Sequence, residues 1–147
     1  MKNRSILVSS RMSQIDWRHD GRRVTLPVKI LGAENIADMT SVDATALIDT
    51  GATVSGINAE IARSLNLQPV GKRPIMTAHG LAHIEHYLFR VGVYPDGWNA
   101  PYPYIFNEVI GLSLSGTENF SALLGMDILR NCDFSIDRSG NCRLVFG

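Results

Sequence analysis

No apolar run in this 147-residue chain approaches the roughly 20 residues that a membrane-spanning helix needs, so no membrane partner is expected. Neither sign of charge prevails. Fourteen Lys and Arg stand against 14 Asp and Glu, a balance that excludes a general attraction to nucleic acid or to anionic lipid. Cysteine is scarce, with 2 in the chain, Cys132 and Cys142. If Ser139-Gly140 form a two-residue hairpin turn, Asp137 faces Cys142, and Cys132 lies roughly 16 Å further along the ladder. A disulfide needs Cα atoms within about 7 Å, so free thiols, a reducing compartment and a cytoplasmic location are expected. The apolar patch within residues 1–10 is shorter than the ~7–15 residues of a signal-peptide core, and that stretch reads as a ragged or edge-strand N-terminus. Internal repeats, low-complexity tracts and domain linkers are also missing.

What is present describes one folded domain. Hydrophobic residues make up 45% and charged residues 19%, a composition that buries a core rather than staying disordered. Residues 1–20 carry weak patterning and read as an N-terminal arm, with the domain proper at 21–147. From Arg22 to Leu31, Val24, Leu26, Val28 and Ile30 alternate with Arg23, Thr25, Pro27 and Lys29. That is a half-buried strand in which Pro27 marks an edge or a bulge. A polar connection, Gly32 to Asp43, leads to a strand at Ala44–Ile48. Asn58 then caps a short helix running to Leu65, with Ile61, Ala62 and Leu65 on one face.

Pro69 to Val93 reads as a long hairpin. Ile75 and Thr77 approach a tip at Ala78-His79-Gly80, and Ile84, Tyr87, Phe89, Val91 and Val93 return, with the glycine supplying the freedom a tip needs. Asp96 to Pro103 is a loop rich in Pro, Gly and aromatics, and Val109–Leu112 a strand. Ser113–Ser121 is polar and exposed. Leu123-Leu124-Gly125 is a buried strand ending in glycine, followed by a short helix from Met126 to Arg130. Phe134 and Ile136, a turn at Arg138–Asn141, and Leu144 and Phe146 make a terminal hairpin. Short strands with close turns and only two short helices define a mainly β domain.

The chemically telling stretch is Ala46-Leu47-Ile48-Asp49-Thr50-Gly51-Ala52. An apolar strand runs straight into an Asp-Thr-Gly turn, and a carboxylate at a buried strand end must be hydrogen-bonded or paired. By itself such a tripeptide is weak, since chance produces it in several per cent of chains this long, and an ordinary Asx turn at a strand end is the plain alternative. Its context narrows the reading. A small residue follows it, and a second apolar strand ending in glycine, Ala122–Gly125, leads into a helix.

Together these two stretches resemble the signature of retropepsin-like (retroviral-type) aspartic proteases, over roughly residues 22–146. The resemblance implies a single-lobe, closed β-barrel-like domain with one or two short helices, working as a homodimer on a peptide or protein substrate, with no cofactor and no metal. Asp49 would be the catalytic carboxylate, with Thr50 locking its turn against the partner turn and Gly51 facing substrate backbone. Gly51, Ala52 and Thr53, with the flap tip Ala78, His79 and Gly80, would bind substrate. Leu123-Leu124-Gly125 would brace the active-site loop, and Cys142 to Phe146 would join the partner chain in a mixed sheet.

The chemistry needs two carboxylates in one cleft, sharing one proton because they cannot both ionise easily. The chain holds no second Asp-Thr-Gly or Asp-Ser-Gly. Asp127, Asp133 and Asp137 lie in no such turn, and Asp96-Gly97 lacks the hydroxyl residue. The second carboxylate is therefore expected from another copy across a twofold axis.

Departures from the viral pattern lie around the turn. Viral members usually pair an acidic residue where Thr53 stands with an arginine where Met126 stands; both are absent here together. His79 replaces the usual glycines and aliphatics at the tip, which points to a stiffer flap or to pH-dependent closure. A non-catalytic dimerisation or peptide-binding module of the same fold is the alternative function. A metal-dependent hydrolase using His79, His83 and His86 is weaker still, because on a strand His83 and His86 point to opposite faces. Trp17 and Trp98 read as packing or loop anchors, and the pairs Arg22-Arg23 and Lys72-Arg73 as solvated strand ends.

Overall fold

The computed structural model describes residues 12–95, 102–117 and 119–147. Its elements in order are β1 (Ser13–Arg18), β2 (Thr25–Gly32), β3 (Ser41–Ile48), β4 (Gly56–Asn58), α1 (Ala59–Ser64), β5 (Gly71–Thr77), β6 (Gly80–Val93), β7 (Tyr104–Leu114), β8 (Ala122–Leu124), α2 (Met126–Leu129), β9 (Asp133–Ile136) and β10 (Asn141–Phe146). Seven strands form one sheet in the order β2-β3-β8-β4-β7-β6-β5, and a further β2–β6 pairing closes six of them into a barrel. β1, β10 and β9 make a separate three-stranded sheet with β10 in the middle. No helix among the described residues is long and apolar enough to cross a membrane.

Period-two patterning explains most of the barrel. Leu26, Val28 and Ile30 of β2, Ala44 and Ala46 of β3, and Tyr87, Phe89, Val91 and Val93 of β6 are buried at every second position, with Leu31 of β2 and Arg90 and Gly92 of β6 buried besides. Pro27 sits opposite Thr45 in β3, while β6 reaches β2 only from Lys29 onward. The proline thus occupies the open edge where its missing N–H is not needed. The helix at Asn58 also forms as its sequence dictates, the Asn58 side chain accepting from the Ile61 N–H at 2.9 Å.

Four features depart from the sequence reading. Residues 13–18, within the expected arm, form β1 and pair with β10 from Ser13↔Phe146 to Arg18↔Asn141; residues 1–11 lie outside the described residues, as do 96–101 of the expected loop, Trp98 included. β4 is three residues long, too short to show a period, yet Ile57 is wholly buried. β7 extends well beyond Val109–Leu112, because an irregularity against β6 accommodates the polar Asn107-Glu108, with Glu108 at φ 57°. The terminal hairpin turns through three residues, not two. Asp137 N–H donates to Asn141 O at 2.9 Å, the Asp137 carboxylate accepts from the Ser139 and Asn141 amides, and Gly140 takes φ 91°. Cys142 consequently faces Ile136 rather than Asp137, and both cysteines are free thiols.

The three-stranded sheet is fastened to the barrel by aromatics. The Phe146 ring lies 5.2 Å from Tyr104 and 6.0 Å from Phe106, both on β7. Leu144 and Phe146 are wholly buried, a burial that contributes roughly 1.5–3 kcal/mol for each side chain. At the end of β3 opposite Asp49, the connection from β2 is held by Arg90, which is 3% exposed. Its guanidinium donates to the carbonyls of Gly32 (2.6 Å), Ile36 (3.1 Å), Asn35 (3.4 Å) and Asp38 (2.5 Å). A buried guanidinium is tolerable only when its donors are satisfied in this way.

Candidate active site

The strand order creates the site. β8 lies between β3 and β4, parallel to β3 and antiparallel to β4. The chain leaving β3 at Ile48 must therefore arch across the end of β8 before entering β4 at Gly56. Asp49 begins this arch and Ser55 ends it. The segment leaving β8, Gly125 and then α2, passes beneath.

Close approach explains Gly125. A Cβ there would lie 2.8 Å from Ala52 O, Val54 C and Val54 O, all backbone atoms. Stitching follows on both sides of it. Asp49 N–H donates to Leu124 O at 3.0 Å, Met126 N–H to Ala52 O at 2.8 Å, and Asp127 N–H to Thr53 O at 3.2 Å.

Asp49 is half-buried. Its Oδ1 accepts from the Gly51 N–H at 2.9 Å, while Oδ2 has no hydrogen-bond partner among the described residues. One oxygen is thus oriented by the turn and the other is free to act. Thr50, Gly51 and Thr53 are exposed along the crown of the arch, with Ala52 half-buried. The hollows of about 600 Å³ beside Asp16, Trp17 and Arg143 and of about 670 Å³ beside Val54, Glu108 and Arg130 do not include Asp49.

The other expected group lies on a different element. Ala78 and His79 are the two turn residues between β5 and β6, with Thr77 opposite Gly80. Gly80 adopts φ 110°, and Thr77 Oγ1 donates to Gly80 O at 2.8 Å while accepting from His79 N–H at 3.2 Å. β7 joins β6 only from His86 onward, so residues 71–85 form a two-stranded ribbon outside the barrel. Met76 and Leu81, opposite each other near its tip, are 75% and 61% exposed. Among the described residues no hydrogen bond links this tip to the arch.

Three further readings can be placed. His83 and His86 lie on strand β6, and among the described residues no three His, Cys, Asp or Glu side chains gather as a metal site requires. Trp17 packs against the core with its ring 6.4 Å from Phe134. Cys142 to Phe146, expected to join a partner chain in a mixed sheet, form β10, which has β1 on one edge and β9 on the other and so no edge of its own left for a further strand.

The sequence reading passed over one cluster. Ser55 is 1% exposed, and the Asp127 carboxylate accepts from Ser55 N–H (3.0 Å), Ser55 Oγ–H (2.6 Å) and Ile128 N–H (2.9 Å). Ser55 Oγ in turn accepts from Gly125 N–H at 3.0 Å, and Ser55 O from Leu112 N–H at 2.9 Å. An acidic residue in the first turn of a helix directly after the glycine was the available signal. Met126, where viral members carry arginine, is 39% exposed.

No family model matches the chain, and no curated protein matches it by sequence. Among solved structures it is similar to a retropepsin-like aspartic protease from Rickettsia conorii, at 20% identity over 92% of each chain with a TM-score of 0.63. The resemblance noted in the sequence is thereby carried by the fold. This chain has the retropepsin-like fold: mainly β, a closed six-strand barrel and two short helices.

Proposed function

We propose that this protein is an aspartic endopeptidase in which two copies of Asp49, one from each protomer of a homodimer, activate water against a peptide bond. The observation that carries this reading is the Asp49 carboxylate itself. It stands at the start of an arch with one oxygen held by the Gly51 amide and the other open, in a fold otherwise known as a protease. The chain carries no second Asp-Thr-Gly or Asp-Ser-Gly to pair with it.

With a second copy facing it, one carboxylate takes a proton from water while the protonated one polarises the scissile carbonyl, with no covalent intermediate. Thr50, exposed on the crown, meets its counterpart across the axis. Gly51, Ala52 and Thr53 accept the extended substrate backbone, and the ribbon tip at Ala78, His79 and Gly80 closes over it as a flap, with substrate adding β-type hydrogen bonds. Because β10 has no open edge, sheet pairing between protomers falls to the outer edges of β1 or β9.

The test is digestion of a peptide library across roughly pH 3–8, with and without a pepstatin-type inhibitor, by wild type and Asp49→Asn. Cleavage by wild type alone, blocked by the inhibitor, is expected. Cleavage that survives Asp49→Asn defeats the assignment, and a folded wild type that cuts nothing favours a non-catalytic peptide-binding or dimerisation module. Sedimentation under cleaving conditions should show a dimer; an active monomer overturns the shared site.

A further inference from the structure

We propose that Asp127 and Ser55 are positioning residues that fix the catalytic arch, the Asp127 carboxylate holding the arch at its far end through the Ser55 N–H and hydroxyl. This inference rests on the proposed protease reading, although its structural part is testable without it.

The arch has two ends and they are held differently. At its start, Asp49 continues the strand ladder through its N–H to Leu124 O at 3.0 Å. At its far end, Ser55 uses every polar atom it has. Its N–H and hydroxyl both donate to the Asp127 carboxylate, its Oγ accepts from Gly125 N–H, and its carbonyl accepts from Leu112 N–H. The residues between are exposed or half-buried, with Ala52 O and Thr53 O accepting from Met126 N–H and Asp127 N–H. The span that carries Asp49, Thr50 and Gly51 is therefore held by a ladder at its start, by two backbone bonds along its course and by a side-chain clamp at its far end, and the clamp is Asp127.

A carboxylate is needed at 127, and an amide does not substitute. Oδ1 accepts from Ser55 Oγ–H and Ile128 N–H, and Oδ2 accepts from Ser55 N–H. Asparagine has one acceptor oxygen and one donor group. With its oxygen in the place of Oδ1, its NH2 faces Ser55 N–H and leaves that buried donor unmatched; with its oxygen in the place of Oδ2, Ser55 Oγ–H loses its acceptor. The Ile128 amide, in the first turn of α2, is shared between Asp127 Oδ1 at 2.9 Å and Gly125 O at 3.1 Å.

Asp127→Asn and Ser55→Ala are compared with Ile128→Val, which trims a buried side chain beneath α2 and leaves the Ile128 backbone amide and every polar atom of the clamp in place. With a peptide substrate, both clamp variants should lose about tenfold to a hundredfold in kcat with KM changed less, the scale on which a small misplacement of a reacting group acts. Ile128→Val should keep the wild-type kcat well below its Tm. Amide hydrogen exchange at residues 50–54 of the intact protein should quicken about tenfold or more in the clamp variants but not in Ile128→Val.

If Asp127→Asn does not fold, Ser55→Ala, which removes only the hydroxyl, carries the comparison. Wild-type kcat and unchanged exchange in the clamp variants overturn the inference. So does an equal loss in Ile128→Val, which would make the effect one of general stability. A wild type that cleaves nothing defeats the protease reading alone, and the exchange at 50–54 still decides the clamp.

Discussion

Replacing Gly125 by alanine perturbs the site through space alone. Its φ of −97° and ψ of −169° are open to any residue, so alanine brings no backbone strain of its own. The added Cβ, however, would lie 2.8 Å from three backbone atoms of the arch. Carbon contacts are most favourable at about 3.5–4.0 Å, so the arch must lift by about 0.7 Å or more. No side-chain rotation can relieve this, because the obstacles are Ala52 O, Val54 C and Val54 O. Lifting stretches the bonds from Met126 N–H to Ala52 O and from Asp127 N–H to Thr53 O. Overpacking of this kind costs about 1–3 kcal/mol, and about 2 kcal/mol lowers Tm by roughly 4–8 °C in a domain of this size. Displacement of Asp49 should also lower kcat by up to about a hundredfold. Thermal denaturation followed by circular dichroism, alongside peptide cleavage at a temperature where the variant is folded, reads both effects. A Gly125→Ala protein with wild-type Tm and wild-type kcat refutes the account of the arch.

Gly80→Ala presents the opposite case, since nothing lies within 4 Å of the position but φ is 110°; the conformational strain of about 1–2 kcal/mol should lower Tm by a few degrees, and an unchanged Tm would show that the turn relaxes freely. Arg90→Ala strips four carbonyls of their donor, a loss expected to destabilise by about 3 kcal/mol or more and to open residues 33–39 to limited proteolysis; protection of that loop as in wild type would contradict the role given to Arg90. Burial and the nearby Asp133 carboxylate push the Cys132 thiol up to about 11 from 9.0. Because the folded value lies above the unfolded one, this group's contribution is fully present below about pH 9 and is lost as the pH rises through about 11. Denaturant titrations from pH 8 to about 11 should show stability falling more steeply in wild type than in Cys132→Ala, and identical slopes would exclude this source.

Local chemistry made much of the chain legible. The alternation in β2 and β6, the Asn58 cap, the hairpin tip at Gly80 and the Asp-Thr-Gly turn each depend on residues within a few positions of one another, and a linear pattern carries that information. β1 and β4 were not legible for the same reason. One hides in weakly patterned sequence, and the other has three residues and exists only because β8 and β7 flank it. The polar pair Asn107-Glu108 interrupted the pattern of β7, where pairing with β6 absorbs the irregularity.

By itself, then, the sequence determined that a carboxylate would end an apolar strand, that a hydroxyl residue and a glycine would follow it, and that the chain holds no second copy of that turn. Tertiary structure alone decided what holds the far end of the arch. Ser55 and Asp127 are 72 residues apart, and nothing in either neighbourhood announces the other. They meet because β8 is threaded between β3 and β4, which forces the arch over Gly125 and sets its far end against α2. The central place of β10 was decided in the same way, since one of its edges is filled by β1, from the opposite end of the described chain.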